Sequence, residues 1–274
     1  MRKAYLAAAG VIAMLASAPA LAQTSEITIG ITTTTTGPGA ALGIPERNAL
    51  EFVPKEIGGV PLKVIVLDDG GDPTTATTNA RRFVTESKAD IIMGSALTPP
   101  TIAVSNVANE AGIPHFGLAP FPVTPERMKW SVVMPQPVPI MGKVLYEHMK
   151  AHNIKTVGYI GYSDSYGDLW FNDLKNQGVP MGITIVDEER FARPDTSVTG
   201  QVLKLVAANP DAILVGASGF SYEDAASICG CAVGTIKSRV NRARSKLAAL
   251  LYVDGAEDFG PDETVRAVIG GSGG

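Results

Sequence analysis

Ser95 and Thr98 stand three residues apart in the run GSALTP, where the apolar stretch DIIMGS (90–95) gives way to a helical pattern over Pro99 to Ala111. Two hydroxyls beside the N–H groups of a helix's first turn suit a carboxylate. Those donors point out along the axis, and the helix dipole favours negative charge there. The same residue types in the same place also serve as plain helix caps. The residues by themselves leave both uses open.

Other chemistry-bearing residues are less promising. Asp68, Asp69 and Asp72 cluster in LDDGGDP, but a calcium loop of EF type starting at Asp68 needs an acid where Asn79 stands. The run reads instead as a strand-end turn followed by a helix N-cap. His148 and His152 lie one helical turn apart, yet no Glu follows His148 as in HExxH, so they read as a solvated helix face. Cys229 and Cys231 flank Gly230, too close for an unstrained bridge and too few for a structural zinc site. They read as small packing residues. No nucleophile–base arrangement, metal cluster or phosphate-binding glycine loop is legible. No catalytic residue, metal or cofactor is therefore expected, and the first module reads as a binder rather than an enzyme.

The elements that must position Ser95 and Thr98 follow a regular rhythm. ITIGIT (27–32), LKVIVLD (62–68), DIIMGS and PHFGLA (114–119) predict strands, separated by helices over Pro45 to Ile57, Pro73 to Glu86 and Pro99 to Ala111. Nearly continuous apolar strands alternating with helices predict an α/β fold with a parallel sheet covered on both faces. Right-handed crossovers then bring every strand's C-terminal end to one edge, where ligands usually bind. TTTTT (32–36), between a strand and GPG, falls in a βα loop at that edge.

A Pro-rich segment, FPVTPERMKWSVVMPQPVP, interrupts the rhythm between Phe121 and Pro139. The pattern restarts with a helix over Ile140 to His152, TVGYIGY (156–162), a helix over Gly167 to Gln177, ITIVDEE (183–189), a helix over Thr196 to Ala208, and DAILVG (211–216). Two α/β units joined by an extended crossover predict two lobes with a cleft between them.

The ends of the chain pull in different directions. Residues 1–22 carry Arg2 and Lys3, an apolar run and Ala20-Leu21-Ala22, the three parts of a secretory signal peptide cut after Ala22. Without that segment the chain is more acidic than its net charge of −4, so any nucleic-acid role needs a local basic patch. Such a patch lies near the other end. Tyr222 to Cys229 and about Ala232 to Leu251 read as two helices around a Gly230-Cys231 turn. Ile236, Val240, Ala243, Leu247 and Leu250 form one apolar stripe, while Lys237, Arg239, Arg242, Arg244 and Lys246 fall outside it. Periodicity alone favours an amphipathic helix with a solvated basic face.

Several motifs carry a family resemblance. ITIGITTTTTGPGAALGIPERNAL, VIVLDDGGDPTTATTNARRFV, IIMGSALTPPTIAVSNVANEAGIP and VGYIGYSDSYGDLW resemble the periplasmic solute-binding proteins of branched-chain amino acid ABC transporters. The resemblance runs from about Ile27 to Gly216. It implies a two-lobed type I binding-protein fold that closes on a small carboxylate-bearing, amino acid-like ligand and then docks to an ABC permease in the inner membrane. It places ligand contacts at Ser95, Thr98 and Ala119, with Tyr166 closing from the second lobe. FGLAPFP is poorer in hydroxyls than the family's usual loop, which leaves the ligand open.

Past Gly216 the resemblance changes. GFSYEDAASICGCAVGTIKSRVNRAR resembles region 4 of extracytoplasmic-function sigma factors, the helix-turn-helix that reads the −35 promoter element. Carried over, Thr235, Lys237, Ser238 and Arg239 would reach bases or phosphates, with Arg242 and Arg244 on the DNA backbone and RNA polymerase as a further partner. LVGASGF fits both families, so the chain reads as two genes joined there. The expected organisation is a signal peptide (1–22), a first lobe (23–136), a partial second lobe (137–218), a small all-α helix-turn-helix (219–252) and an acidic, Gly-rich tail (253–274). Both modules are incomplete, and export would carry the DNA-reading element where there is no chromosome. A periplasmic, truncated solute-binding protein with a sigma passenger is the first reading. A cytoplasmic transcription protein and a fusion without function are the alternatives.

Overall fold

The computed structural model describes residues 26–122, 124–219, 232–235, 237 and 238. Within residues 27–216 lie two sheets. The first comprises β1 (Ile27–Thr33), β2 (Glu56–Ile57), β3 (Val60–Asp68), β4 (Ile91–Met93), β5 (His115–Gly117) and β6 (Ser131–Val133), in the order β2-β3-β1-β4-β5-β6. All pairs are parallel except β2 with β3. The register Thr33 opposite Asp68 sets the end of TTTTT beside the end of LDDGG.

Helices α1 (Ala40–Ala49), α2 (Pro73–Thr85) and α3 (Thr98–Ala111) cross between these strands. Ala76, Ala80 and Phe83 of α2 bury against Ile92 of β4 and Val104 and Val107 of α3. The Phe83 ring sits over Gly30 so closely that a Cβ there would come within 2.4 Å of it. This glycine is a packing requirement of the βα layer.

The helix expected over Pro45 to Ile57 is different. It begins at Ala40, after a 3-10 turn at Gly37–Gly39, so Pro45 lies inside it. It ends in another 3-10 turn at Leu50–Phe52, and Glu56–Ile57 forms a hairpin with β3. The cause is the two-residue turn Gly58-Gly59, with φ of +59° and +80°, a backbone that ordinary side chains resist and a tight hairpin demands.

The Pro-rich segment also carries more structure than its composition suggests. It holds β6 and a single helical turn, α4 (Pro125–Met128), whose N-cap Thr124 accepts from the Arg127 N–H. Residues 134–137 then lead to the second sheet. Its strands β7 (Thr156–Tyr162), β8 (Thr184–Phe191) and β9 (Ala212–Gly216) run parallel in the order β8-β7-β9. Its helices are α5 (Val138–Ala151), α6 (Ser165–Asp173) and α7 (Thr199–Ala207). Tyr146, Tyr159, Trp170, Phe171, Leu174 and Leu214 form its core. The hydroxyls of the two tyrosines are not orphaned: Tyr146 donates to Asp173 Oδ2 at 2.9 Å and Tyr159 to the Gly167 carbonyl at 2.7 Å. Helix α6 begins two residues before the expected Gly167, because Asp164 caps it, and runs on as a π-turn at Leu174–Gly178.

The chain divides after Gly216 into a second unit. Of its expected DNA contacts, Thr235 lies half-buried in a helical turn at 233–235, and Lys237 and Ser238 are exposed. Arg239, Arg242 and Arg244 lie outside the described residues, as does the expected signal peptide.

Candidate functional site

The C-terminal ends of β1, β3, β4 and β5 meet at one edge of the first sheet, and polar side chains concentrate there. Asp69, only 2% exposed, accepts from the Thr32 hydroxyl at 2.9 Å, the Thr34 hydroxyl at 2.8 Å and the Gly71 N–H at 2.9 Å. Asn79 of α2 donates to Thr32 Oγ1 at 3.1 Å and to the Asp68 carbonyl at 3.0 Å. Asp68 faces outward and clasps the rest of TTTTT, accepting from the N–H groups of Thr35 (2.7 Å) and Thr36 (3.3 Å) and from the Thr36 hydroxyl. Partial burial pushes its pKa up, but the bonds from Thr36, Gly70 and Thr35 outweigh this and hold it at about 2. Asp72 is the N-cap of α2, accepting from the Thr75 N–H at 2.7 Å. LDDGGDP is thus a turn and a cap, as the spacing predicts, and also a clamp on the opposite loop.

Ser95, Thr98 and Ala119 come together beside this cluster, all nearly inaccessible. The Ser95 hydroxyl lies 3.4 Å from Thr34 Oγ1. Thr98, the first residue of α3, does not cap the helix; its hydroxyl donates to the Pro120 carbonyl at 2.7 Å, tying α3 to the loop that carries Ala119. Thr101 holds Ser95 by its main chain, accepting from the Ser95 N–H at 3.0 Å while its hydroxyl lies 2.7 Å from the Ser95 and Leu97 carbonyls. The opening turn of α3 offers N–H groups at Ala96, Leu97 and Thr98 but none at Pro99 and Pro100. The Thr101 N–H is used by the Leu97 carbonyl. Donors for a carboxylate are therefore fewer than a generic helix start provides.

Tyr166 belongs to the other side, on α6 at the C-terminal end of β7. Its ring lies 6.5 Å from that of Tyr162. Beside it, Arg193 donates to Asp164 at 2.7 Å and stacks 4.0 Å over Tyr162. Ser165 Oγ is buried without a hydrogen-bond partner. An apolar cavity of about 580 Å³ starts at Pro120 and Phe121, directly after Ala119, and reaches Leu169 of α6, one turn on from Tyr166. Met128, Val133 and Val138 complete much of its wall. Among the described residues no group of His, Cys, Asp and Glu could hold a metal ion. His148 and His152 stack at 4.0 Å, and His152 Nδ1 lies 2.9 Å from the His148 carbonyl.

Sequence reasoning did not single out Thr34, Asp69, Thr101 or Glu46 as parts of one assembly. Glu46 of α1 accepts from the Thr33 hydroxyl at 2.6 Å. Burial, opposed by that bond and assisted by the nearby Asp69 charge, pushes its pKa from the ordinary 4.5 up to about 7. An acid raised on folding holds its proton more tightly in the folded state. Its stabilising effect is then complete below pH 4.5, declines as pH rises towards about 7, and is absent above that. With solvent still reaching the carboxyl, the loss is on the order of 2 kcal/mol. Urea midpoints of the wild type should fall between about pH 5 and about pH 8, and Glu46→Gln should abolish most of that fall. An equal fall in both proteins would contradict the assignment.

The comparison with known proteins falls into two parts. The family described as periplasmic binding protein matches residues 26–223, and the chain belongs to it. Residues 213–247 match Sigma-70, region 4, so the two matches overlap across LVGASGF. The crystal structure of an extracellular ligand-binding receptor from Rhodopseudomonas palustris HaA2 is 85% identical, with a TM-score of 0.69 over 71% of this chain and 54% of that one. An amino acid binding protein of Pseudomonas aeruginosa is 26% identical over 229 residues, 78% of this chain and 59% of the relative. The ECF RNA polymerase sigma factor EcfG of Rhodopseudomonas palustris is 93% identical over 61 residues, 22% of this chain and 34% of that protein. The chain thus spans about half the length of the solved receptor and a third of the sigma factor.

Proposed function

We propose that residues 26–216 are the ligand-binding part of an ABC-transporter solute receptor, acting in the periplasm after cleavage at Ala22 and handing its ligand to an inner-membrane permease. The observation that carries this reading is the bond from Thr98, at the opening turn of α3, to the Pro120 carbonyl, which joins that turn to the rim of an apolar cavity beginning one residue beyond Ala119. A small carboxylate with a branched or aromatic apolar body matches that pairing. Its anionic end would meet the Ser95 hydroxyl and the N–H groups of the opening turn, with Thr98 holding that turn to Pro120. Its body would meet the Phe121–Leu169 wall, and Tyr166 would close from α6. No bond is made or broken, so the protein is a binder without catalysis.

The test is a thermal melt of the purified chain with L-leucine, L-isoleucine, L-valine, benzoate and 4-hydroxybenzoate. A ligand at a hundred times its Kd adds about 2.7 kcal/mol and raises the midpoint accordingly. A cooperative melt that none of these compounds shifts would sink the reading.

The region 4 match over 213–247 favours a second reading, in which Thr235, Lys237, Ser238, Arg239, Arg242 and Arg244 read promoter DNA and the partner is RNA polymerase. Cell fractionation separates the two. A chain found in the periplasm and cut after Ala22 has no access to promoters, whereas an uncut cytoplasmic chain that shifts a −35 duplex would support the transcription role.

A further inference from the structure

We propose that His115 is a positioning residue for the Ser95 end of the ligand site, acting through a one-way chain of hydrogen bonds that runs Ser105 to Ser131 to His115 to the Gly94 carbonyl. The inference rests on the reading of Ser95 as a ligand contact. His115 sits on β5 and is 1% exposed. Its Nε2 lies 2.6 Å from the Gly94 carbonyl, the group directly preceding Ser95. Its Nδ1 lies 3.0 Å from Ser131 Oγ of β6, which lies 3.0 Å from Ser105 Oγ of α3.

The direction follows from what each group can do. A carbonyl only accepts, so Nε2 carries the proton. Burial, opposed by the Gly94 bond, pulls the His115 pKa down to about 4, so the ring is neutral near pH 7 and Nδ1 is an acceptor. Ser131 must then donate to Nδ1, which leaves Ser105 to donate to Ser131. Every member has one defined role, and the chain ends on the main chain of the site.

Its placement is what distinguishes it from ordinary core packing. Thr101 holds the N–H of Ser95, the Phe116 carbonyl holds the N–H of Gly94 at 2.9 Å, and His115 holds the Gly94 carbonyl. The main chain at Gly94 and Ser95 is thus held by three bonds from two elements, α3 and β5. The His115 ring centroid lies 5.9 Å from that of Phe121, and Phe121 lines the apolar cavity. One imidazole therefore touches the supports of both the polar and the apolar ends of the site. A leucine or phenylalanine at this position would leave the buried Gly94 carbonyl without its side-chain donor and the Ser131 hydroxyl without its acceptor.

The test compares His115→Phe and His115→Gln in the full chain by hydrogen exchange, with a peptide covering 93–98 as the site and one covering 156–162 on β7 as the reference. His115→Phe should lose about tenfold in protection at 93–98 relative to β7. His115→Gln, which can still donate to Gly94, should restore most of it. Equal losses in both peptides, or no rescue by glutamine, would overturn the proposal. Should His115→Phe fail to fold, Ser131→Ala replaces it, with a severalfold selective loss expected and no selective loss overturning. Ligand shifts are then read on the same variants with L-leucine and benzoate. A wild-type shift that is weakened in His115→Phe and regained in His115→Gln supports positioning, and one left undiminished contradicts it. Selective exchange loss without any wild-type ligand shift keeps the hydrogen-bond chain and removes only the ligand reading.

Discussion

Asp69→Ala is expected to lower the stability of residues 26–216 by about 3 kcal/mol at pH 7, among the larger single-residue losses available outside the apolar core. The carboxylate is 2% exposed and accepts from two hydroxyls and one N–H. Its removal leaves Thr32 and Thr34 with buried donors facing a cavity, and the Gly71 N–H unsatisfied. Each orphan costs roughly 1–3 kcal/mol where water cannot reach it, and water entering the vacated space recovers part of that. Asp69→Asn should cost about half as much, since its one remaining oxygen serves one threonine while its amide confronts the other. Asp69 also helps hold the Glu46 pKa up, so removing its charge should weaken the Glu46-dependent fall of stability with pH. The Asp69 and Glu46 substitutions should therefore be non-additive. Urea unfolding with an unchanged slope measures all three variants. A loss under about 1 kcal/mol for Asp69→Ala would mean the threonines find other partners, and that the clamp is not what fixes the β1 loop.

The contrast between Asp69 and TVGYIGY shows what a sequence can and cannot disclose. TVGYIGY reads as a strand over 156–162 and is one over those residues, because a continuous apolar run between turn signals has few other ways to be buried. The α3 start is legible for the same reason, within one residue. Asp69 and the threonines are both visible as unusual runs, but their partnership depends on β3 lying beside β1 with Asp68 opposite Thr33. That register is a tertiary fact about strands more than thirty residues apart. The hairpin at Gly58-Gly59 was legible in principle, since paired glycines between short β-prone runs favour a two-residue turn. The helical pattern of ERNALEFV masked it. His115 could not be found at all, as a lone histidine in PHFGLA says nothing of Gly94, Ser131 or Ser105. The cavity beside Phe121 is likewise assembled from a loop, β6, the crossover and α6.

Gly94→Ala should have the largest effect of any substitution considered, a loss of about 4 kcal/mol or more, or no folded protein at all. Gly94 has φ of +122°, a region that side-chain-bearing residues avoid, and an added Cβ would lie 1.9 Å from the Thr32 carbonyl oxygen. The two penalties differ in kind. The dihedral strain alone costs on the order of 1–3 kcal/mol. The contact is with the backbone of the central strand β1, so no rotamer change relieves it, and β4 or β1 must move. Any such movement shifts Ser95 from Thr34 and withdraws the Gly94 carbonyl from His115. Gly182→Ala separates the terms, because Gly182 also has a positive φ, +93°, but has nothing within 4 Å of the added Cβ. It should lose only about 1 kcal/mol, with the site's exchange protection intact. Comparable losses at both positions would show that dihedral strain dominates and that β1 and β4 can part without harm. A folded Gly94→Ala that keeps its ligand shift would go further, since Ser95 could not then be held by the close approach of Gly94 to Thr32.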